Sequence, residues 1–121
     1  MIAVATDRPP PTTQAIDTEH LARMTLGERS LQREVLALFD RQADVLLPRI
    51  RRGTPALAAS LAHTLKGSAV SIGAFKVARA AESVERVQGA ADRDAAMAAA
   101  IETLAAVLEE AKIEIARLIS A

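Results

Sequence analysis

The sequence contains no cysteine, no tryptophan and no tyrosine, and two phenylalanines are its only large aromatic residues. Without cysteine, the chain can form neither a disulfide framework nor a thiolate metal site. Aromatic residues favour strands, whereas alanine and leucine, which are abundant here, favour helices. The composition therefore predicts an all-α protein whose core consists mainly of Leu, Ile, Val and Ala.

An excess of one charge is also missing, because 15 Lys and Arg residues balance 15 Asp and Glu residues. Proteins that bind nucleic acid usually carry a basic surface, so we expect no nucleic-acid partner. No stretch approaches the roughly 18 apolar residues of a membrane span, and the opening residues MIAVAT are too few for the apolar region of a signal peptide. We therefore expect a cytoplasmic protein with no membrane partner.

The 121 residues are enough for one compact domain. Three consecutive prolines lie within residues 1–15 and cannot enter a helix interior, so we predict a flexible, extended arm there and a domain over residues 16–121. In the domain, apolar residues recur at spacings of three and four, which is typical of amphipathic helices. The junctions around Gly53, Gly73 and Gly89 are short, which makes consecutive helices antiparallel neighbours. The pattern predicts an antiparallel four-helix bundle with a short additional N-terminal helix.

Capping residues mark the expected helix starts. Asp17 suits the N-cap of the short first helix, Thr54 suits that of the third, and Asp92 suits that of the last. Pro48 falls inside the second helix, where we expect it to kink the last turn or end the helix early. The apolar stripe of the last helix suits packing in a bundle, but the same stripe would also suit a coiled-coil dimer.

The stretch AHTLKGSAVSIG, residues 62–73, places a histidine in the middle of a helical pattern. Rotation by 100° per residue predicts that His63 lies on the exposed side of its helix. The side predicted to face the core consists of Leu57, Leu61, Leu65, Ser68 and Ile72. The residues predicted to lie beside His63 are small, namely Ala56, Ala59, Gly67 and Val70, with Lys66 at the edge of this face.

Gly67 is the unusual member of this face. The residues predicted to face the core keep their helical spacing on both sides of it, so the glycine lies inside the helix rather than at its end. An interior glycine destabilises a helix by about 1 kcal/mol relative to alanine. Its presence in an alanine-rich chain therefore indicates that a partner approaches the helix closely at this point. Close packing of Gly67 against another helix of the same chain is the alternative.

The pair His63 and Lys66 suits phosphoryl chemistry. A neutral imidazole is a good nucleophile near neutral pH, because its unperturbed pKa is about 6.5. A lysine one turn away can stabilise phosphate oxygens as a point charge. The sequence has neither a Gly-rich phosphate loop nor the motifs of a kinase. The pattern thus indicates a carrier that receives a phosphoryl group and passes it on, rather than an enzyme, and that needs no cofactor of its own.

The motif HTLKGSAVSIG, with His63, Lys66, Gly67, Ser68 and Gly73, resembles the histidine-containing phosphotransfer (HPt) domain family. Members are four-helix bundles that carry phosphoryl groups between receiver-domain aspartates in two-component phosphorelays. The resemblance covers essentially the whole domain. It implies phosphorylation of His63 on Nε2, stabilisation of the phosphoryl group by Lys66, access for a receiver domain at Gly67, and a turn at Gly73.

The resemblance also implies partners and a further site residue. The partners would be response-regulator receiver domains and a histidine kinase, hybrid or not, and the divalent metal needed for transfer would belong to the receiver. Family members often carry Gln or Glu 22 residues after the histidine, where it accepts a hydrogen bond from Nδ1. That position is Glu85 here, as in the phosphotransfer domains of chemotaxis-type kinases. An exposed glutamate without this role is the alternative for Glu85.

Several other interpretations stay open at this point. The same surface, with Ala56, Ala59, Ser68 and Val70, would also suit a helical docking module without phosphotransfer. Ser68 is equally compatible with a structural role. His20 is expected to be a surface residue, and no ligand cluster accompanies the two histidines, so we expect no metal site. A dimer through the last helix is the third possibility, although we expect a monomer.

Overall fold

The computed structural model describes residues 14–121, which are mainly helical and contain no strand. The elements are α1 (Thr18–Met24), α2 (Arg29–Arg52), α3 (Pro55–Ile72), α4 (Phe75–Arg86) and α5 (Arg93–Ser120), with a 3₁₀ turn at Val87–Gly89. The predicted all-α class, with four long helices and a short leading one, is confirmed. The predicted arm lies mostly outside the described residues, since only residues 14 and 15 of it are included.

The four long helices form a ring in which α2 packs on α3, α3 on α4, α4 on α5, and α5 on α2. Ion pairs between α2 and α5 show the relative direction of the two helices. Arg51 near the end of α2 pairs with Glu102 near the start of α5 at 2.5 Å, whereas Lys112 further along α5 pairs with Asp40 at 2.7 Å. The two helices therefore run antiparallel. The short helix α1 lies against α3.

The core is aliphatic, as the composition predicts. Its bulkiest fully buried side chains are Leu36, Ile50, Leu65, Leu104, Leu108, Ile115, Val77 and Val84. The apolar stripe of α5 faces inward, with Met97, Ile101, Leu104, Leu108, Ala111 and Ile115 all buried. Because this stripe is used inside the bundle, it is not available for a coiled coil with a second chain.

All three residues predicted as caps stand at N-cap positions, and two of them make capping hydrogen bonds through their side chains. The Asp17 carboxylate accepts hydrogen bonds from the backbone N–H groups of Glu19 and His20, each at 3.1 Å. The Thr54 hydroxyl accepts from the Leu57 N–H at 3.2 Å, and Pro55 occupies the first turn of α3. Asp92 also stands at the N-cap position of its helix, α5, but its side chain makes no capping hydrogen bond.

Of the two effects expected of Pro48, a kink or an early end of α2, the early end is wrong, because the helix continues to Arg52. Proline lacks only one N–H, so it removes a single i→i−4 bond from the helix. On either side of it, Leu46 and Ile50 are buried in the core. Their packing holds the last turn of α2 in helical conformation.

Gly73 ends α3, as predicted. It adopts a left-handed conformation with φ +82°, which side chains rarely tolerate. A Cβ atom at this position would lie 2.7 Å from the Asp17 carbonyl oxygen, too close for any contact. The Asp17 N–H donates to the Gly73 carbonyl at 2.9 Å. The glycine therefore serves both the turn into α4 and the docking of α1 on the end of α3.

Candidate functional site

The buried side of α3 differs from the predicted one. The buried residues are Ala58, Ala59, Ala62, Leu65, Ala69 and Ile72. Leu57 is 40 % exposed, and Leu61 and Ser68 are only half-buried, so the predicted core stripe is wrong at these positions. The inward face is rotated toward α4, which packs on α3 with its own alanines Ala78 and Ala81 buried. Small side chains on both helices allow this close approach.

The same rotation corrects the predicted docking face. Ala59 is buried, so its side chain cannot take part in a surface beside His63. Ala56, Gly67 and Val70 are exposed, as predicted, and Ser68 is half-buried. Three of the small residues thus remain beside the histidine, and the fourth belongs to the core.

His63 projects from the middle of α3, and its side chain is 69 % exposed. Its Nδ1 lies 2.9 Å from Oε1 of Glu85 on the neighbouring helix α4. The other ring nitrogen, Nε2, makes no hydrogen bond to any residue in the range 14–121. The helix pair α3–α4 therefore holds one side of the imidazole and leaves the other side facing outward.

Glu85 is the residue that holds the ring. Its side chain is 23 % exposed, and its second oxygen, Oε2, is buried 3.0 Å from the Lys66 ammonium, an ion pair that lacks hydrogen-bond geometry. Partial burial by itself raises the pKa of the Glu85 carboxyl, but the contacts with Lys66 and His63 outweigh burial, and the pKa is lowered. Glu85 is therefore a carboxylate at neutral pH.

The charge state of Glu85 fixes the tautomer of the neutral His63 ring. A carboxylate can only accept hydrogen bonds, so Nδ1 must be the donor and must carry the proton. The lone pair of the neutral imidazole then lies on Nε2. The exposed nitrogen is thus the nucleophilic one.

Lys66 lies on the side of His63 that faces α4, and its side chain is about as buried as that of Glu85. Sequence reasoning selected Lys66 for phosphate oxygens and did not foresee its contact with Glu85. No sequence signal for that contact was available, because it depends on the packing of α4 against α3. His63, Glu85 and Lys66 form one connected cluster, which we call the histidine triad.

Gly67 is exposed, and a Cβ atom built on it would meet nothing within 4 Å. The alternative in which Gly67 packs against another helix of the chain is therefore wrong. Nothing in the described part of the molecule requires a glycine at this position. The free space above Gly67 lies one turn from His63, on the outer surface of α3.

Two apolar residues of α2 were missed in the sequence. Leu38 and Val45 are each 59 % exposed, and their separation of seven residues places them on the same face of the helix. Leu38 lines a groove between α2 and α3 together with Ser68 and Ser71. The exposed small-residue face of α3 therefore continues onto an apolar strip of α2. A Leu–Val pair at i and i+7, outside the core stripe of α2, was the available signal.

His20 is half-buried, so the prediction of a plain surface residue is wrong. Its ring packs edge-on against Phe75, with centroids 5.1 Å apart. Within residues 14–121, no three His, Cys, Asp or Glu side chains gather in a group that could hold a metal ion. In the same range, no helix is long and apolar enough to span a membrane.

The fold and the triad define a class: a helical bundle that presents an oriented, exposed histidine on the surface of a central helix. The Hpt domain family model matches residues 30–120, which is most of the chain. The chain therefore belongs to the Hpt domain family, whose members have a phosphotransfer role in two-component signalling. No curated protein and no solved structure matches the chain.

Proposed function

We propose that this protein is a phosphorelay carrier that accepts a phosphoryl group on Nε2 of His63 from a receiver-domain aspartate and passes it to another receiver domain. The observation that carries this proposal is the hydrogen bond between His63 Nδ1 and Glu85 at 2.9 Å. It directs the lone pair of an exposed ring to Nε2. Family membership supports a phosphotransfer role in general, and the donor, the acceptor and the direction belong to this proposal.

The transfer step follows from the tautomer. The lone pair of Nε2 attacks phosphorus, the bond from phosphorus to the aspartate oxygen breaks, and its electron pair leaves with the aspartate carboxylate. The ring keeps its proton on Nδ1 and becomes positively charged. The Glu85 carboxylate stabilises that charge at Nδ1, as a carboxylate does for other histidine nucleophiles and bases. Return of the phosphoryl group reverses each of these changes.

The receiver docks on the exposed face formed by Ala56, Gly67 and Val70 of α3, with Ser68 at the groove to α2. Leu38 and Val45 extend this docking face onto α2. An apolar strip next to small residues suits a protein partner, because exposed apolar patches on a folded surface commonly mark interfaces. The divalent metal used in the transfer belongs to the receiver. The chain itself acts as a cytoplasmic carrier rather than as a kinase.

The proposal is tested by incubating the chain with a phosphorylated receiver domain and following transfer of labelled phosphate. We expect acid-labile label on the wild type and none on His63→Gln. The matched control is His20→Gln, which removes the other histidine and should keep the label. Label that survives in His63→Gln would contradict the proposal. Absence of transfer from every receiver tried, although the receiver still binds, would favour a docking module without phosphotransfer.

A further inference from the structure

In the histidine triad, the single Glu85 carboxylate makes a hydrogen bond with His63 and an ion pair with Lys66. Glu85 Oε1 lies 2.9 Å from His63 Nδ1, and Glu85 Oε2 lies 3.0 Å from Lys66 Nζ. The two oxygens share one negative charge. A cation held at Oε2 therefore reduces the charge that acts on the His63 N–H at Oε1, as Coulomb's law requires at these distances.

No other charged side chain of the described residues contacts Glu85. Arg86, next to it on α4, pairs with Glu82 at 3.8 Å. In the described part of the chain, the remaining ion pairs between helices are Arg51–Glu102, Lys76–Glu110, Lys112–Asp40 and Lys112–Asp44. Within residues 14–121, Lys66 is thus the one cation in contact with Glu85 while the His63 ring is neutral.

Lys66 is also close to the place where a phosphoryl group would be attached. Side chains at i and i+3 lie on the same side of a helix, with Cβ atoms about 5–6 Å apart, and Lys66 follows His63 by three residues. A flexible lysine side chain can move its ammonium between two nearby anions. A phosphoryl group carries about two negative charges near neutral pH, which is more than the single charge of Glu85.

We propose that Lys66 exchanges partners during transfer, holding Glu85 before the phosphoryl group arrives and binding the phosphoryl oxygens once the P–N bond forms. This inference rests on the function proposed above. The exchange breaks no covalent bond and moves no proton, since only an ion pair is replaced by another. Its consequence is timing: the Glu85 carboxylate acts on Nδ1 with its full charge only when the ring has become positive. Departure of the phosphoryl group returns Lys66 to Glu85.

The first arm of the test uses the phosphate-free protein and the proton resonance of His63 Nδ1–H. In Lys66→Met, Glu85 is no longer shared, so this resonance should move downfield and its exchange with water should slow. In a Glu85→Gln background, adding Lys66→Met should leave the resonance unchanged. A shift of equal size in both backgrounds, or no shift in either, would overturn the inference.

The control for this arm is Lys76→Met, because Lys76 of α4 also pairs with a glutamate of the next helix, at 2.7 Å from Glu110 of α5. Its exposure resembles that of Lys66. Removing it should leave the His63 resonance in place. A downfield shift in Lys76→Met as large as that in Lys66→Met would mean that overall charge, rather than the Glu85 contact, controls the ring.

The second arm uses protein phosphorylated by phosphoramidate, a small phosphodonor, and follows the Lys66 Nζ resonance by nitrogen NMR. We expect the Lys66 ammonium to leave the Glu85 carboxyl group. Its nitrogen signal should then show coupling to phosphorus. Persistence of the Glu85 contact in phosphorylated protein would overturn the exchange and leave the proposed function intact. Failure to form phosphohistidine here and with receiver domains would instead count against the proposed function itself.

Discussion

At the scale of single residues, the site depends on what Glu85 can and cannot do. Its carboxylate accepts but does not donate, so its contact with His63 decides which ring nitrogen is free to react. The sequence predicted His63, Lys66 and Glu85 as site residues. It did not predict that Lys66 would contact Glu85, because an ion pair across two helices depends on the rotation of each helix about its own axis.

Gly67 supplies the first residue-scale prediction. A Cβ atom fits there without any contact, and alanine is favoured over glycine inside a helix by about 1 kcal/mol. Gly67→Ala should therefore raise the free energy of unfolding by about 1 kcal/mol in urea denaturation, while transfer from a receiver slows.

A size series at the same position separates stability from docking. Gly67→Leu should slow transfer further than Gly67→Ala and still fold, since the position is open to solvent. Transfer as fast as in the wild type for both variants would show that no partner approaches the helix there. The measurements are urea denaturation and the rate of label transfer.

At the scale of the helices, the buried face of α3 was predicted wrongly, because it consists mainly of alanines rather than leucines. Leucines at positions 57 and 61 dominate the periodicity, yet the inward face is set by Ala58, Ala62 and Ala69. Close packing against α4 requires small side chains at these positions, because large ones would hold the two helices further apart. This rotation explains why Ala59 was wrongly placed beside His63, and why Leu57 lies partly exposed.

The contact between α2 and α5 yields a pH prediction. Burial by itself lowers the pKa of Lys112, but its hydrogen bonds to Asp40 and Asp44, each 2.7 Å, outweigh burial and raise the pKa above its ordinary value of 10.5. A group whose pKa is higher in the folded state stabilises the protein fully at lower pH. That contribution is lost as pH rises through the folded-state pKa.

We therefore expect the wild type to lose stability relative to Lys112→Met above pH 10.5, measured by thermal unfolding across alkaline pH. Between neutral pH and pH 10.5, where Asp40 and Asp44 stay ionised and Lys112 stays protonated, the difference between the two proteins should be constant. A difference that stays constant through the whole alkaline range would show that Lys112 does not stabilise the α2–α5 contact through its charge.

The apolar strip on α2 gives a prediction about docking. Leu38 is largely exposed, so Leu38→Glu should leave the unfolding transition nearly unchanged, within the roughly 0.5 kcal/mol typical of surface changes. Transfer from a receiver should nevertheless slow markedly, because a charge is placed in an apolar contact.

Ile113→Glu is the matched control for that substitution. Ile113 is 64 % exposed on α5, which packs on α2 and α4. We expect transfer to Ile113→Glu at the wild-type rate. Equal slowing in both variants would assign the effect to charge in general rather than to the α2–α3 docking face.

At the scale of the whole molecule, the oligomeric state that we expect follows from which side of α5 is buried. Its heptad-like stripe is buried against the other helices, so it cannot also pair with a second chain. We expect sedimentation equilibrium to give the mass of one chain at all concentrations tested. A mass that rises toward two chains would point to the exposed strip with Leu38, and Leu38→Glu should then restore the monomer.

The sequence by itself determined the all-α class, the number of helices and most of their ends, because helix propensity, glycine and capping are local properties. It also identified three residues of the candidate site, since His63, Lys66 and Gly67 lie within two turns of one helix. Only the tertiary structure decided which face of α3 is buried, that Leu38 and Val45 of α2 are exposed, and that Glu85 contacts both Lys66 and His63. Those features depend on how closely neighbouring helices approach, and that distance is set by side chains distant in the sequence.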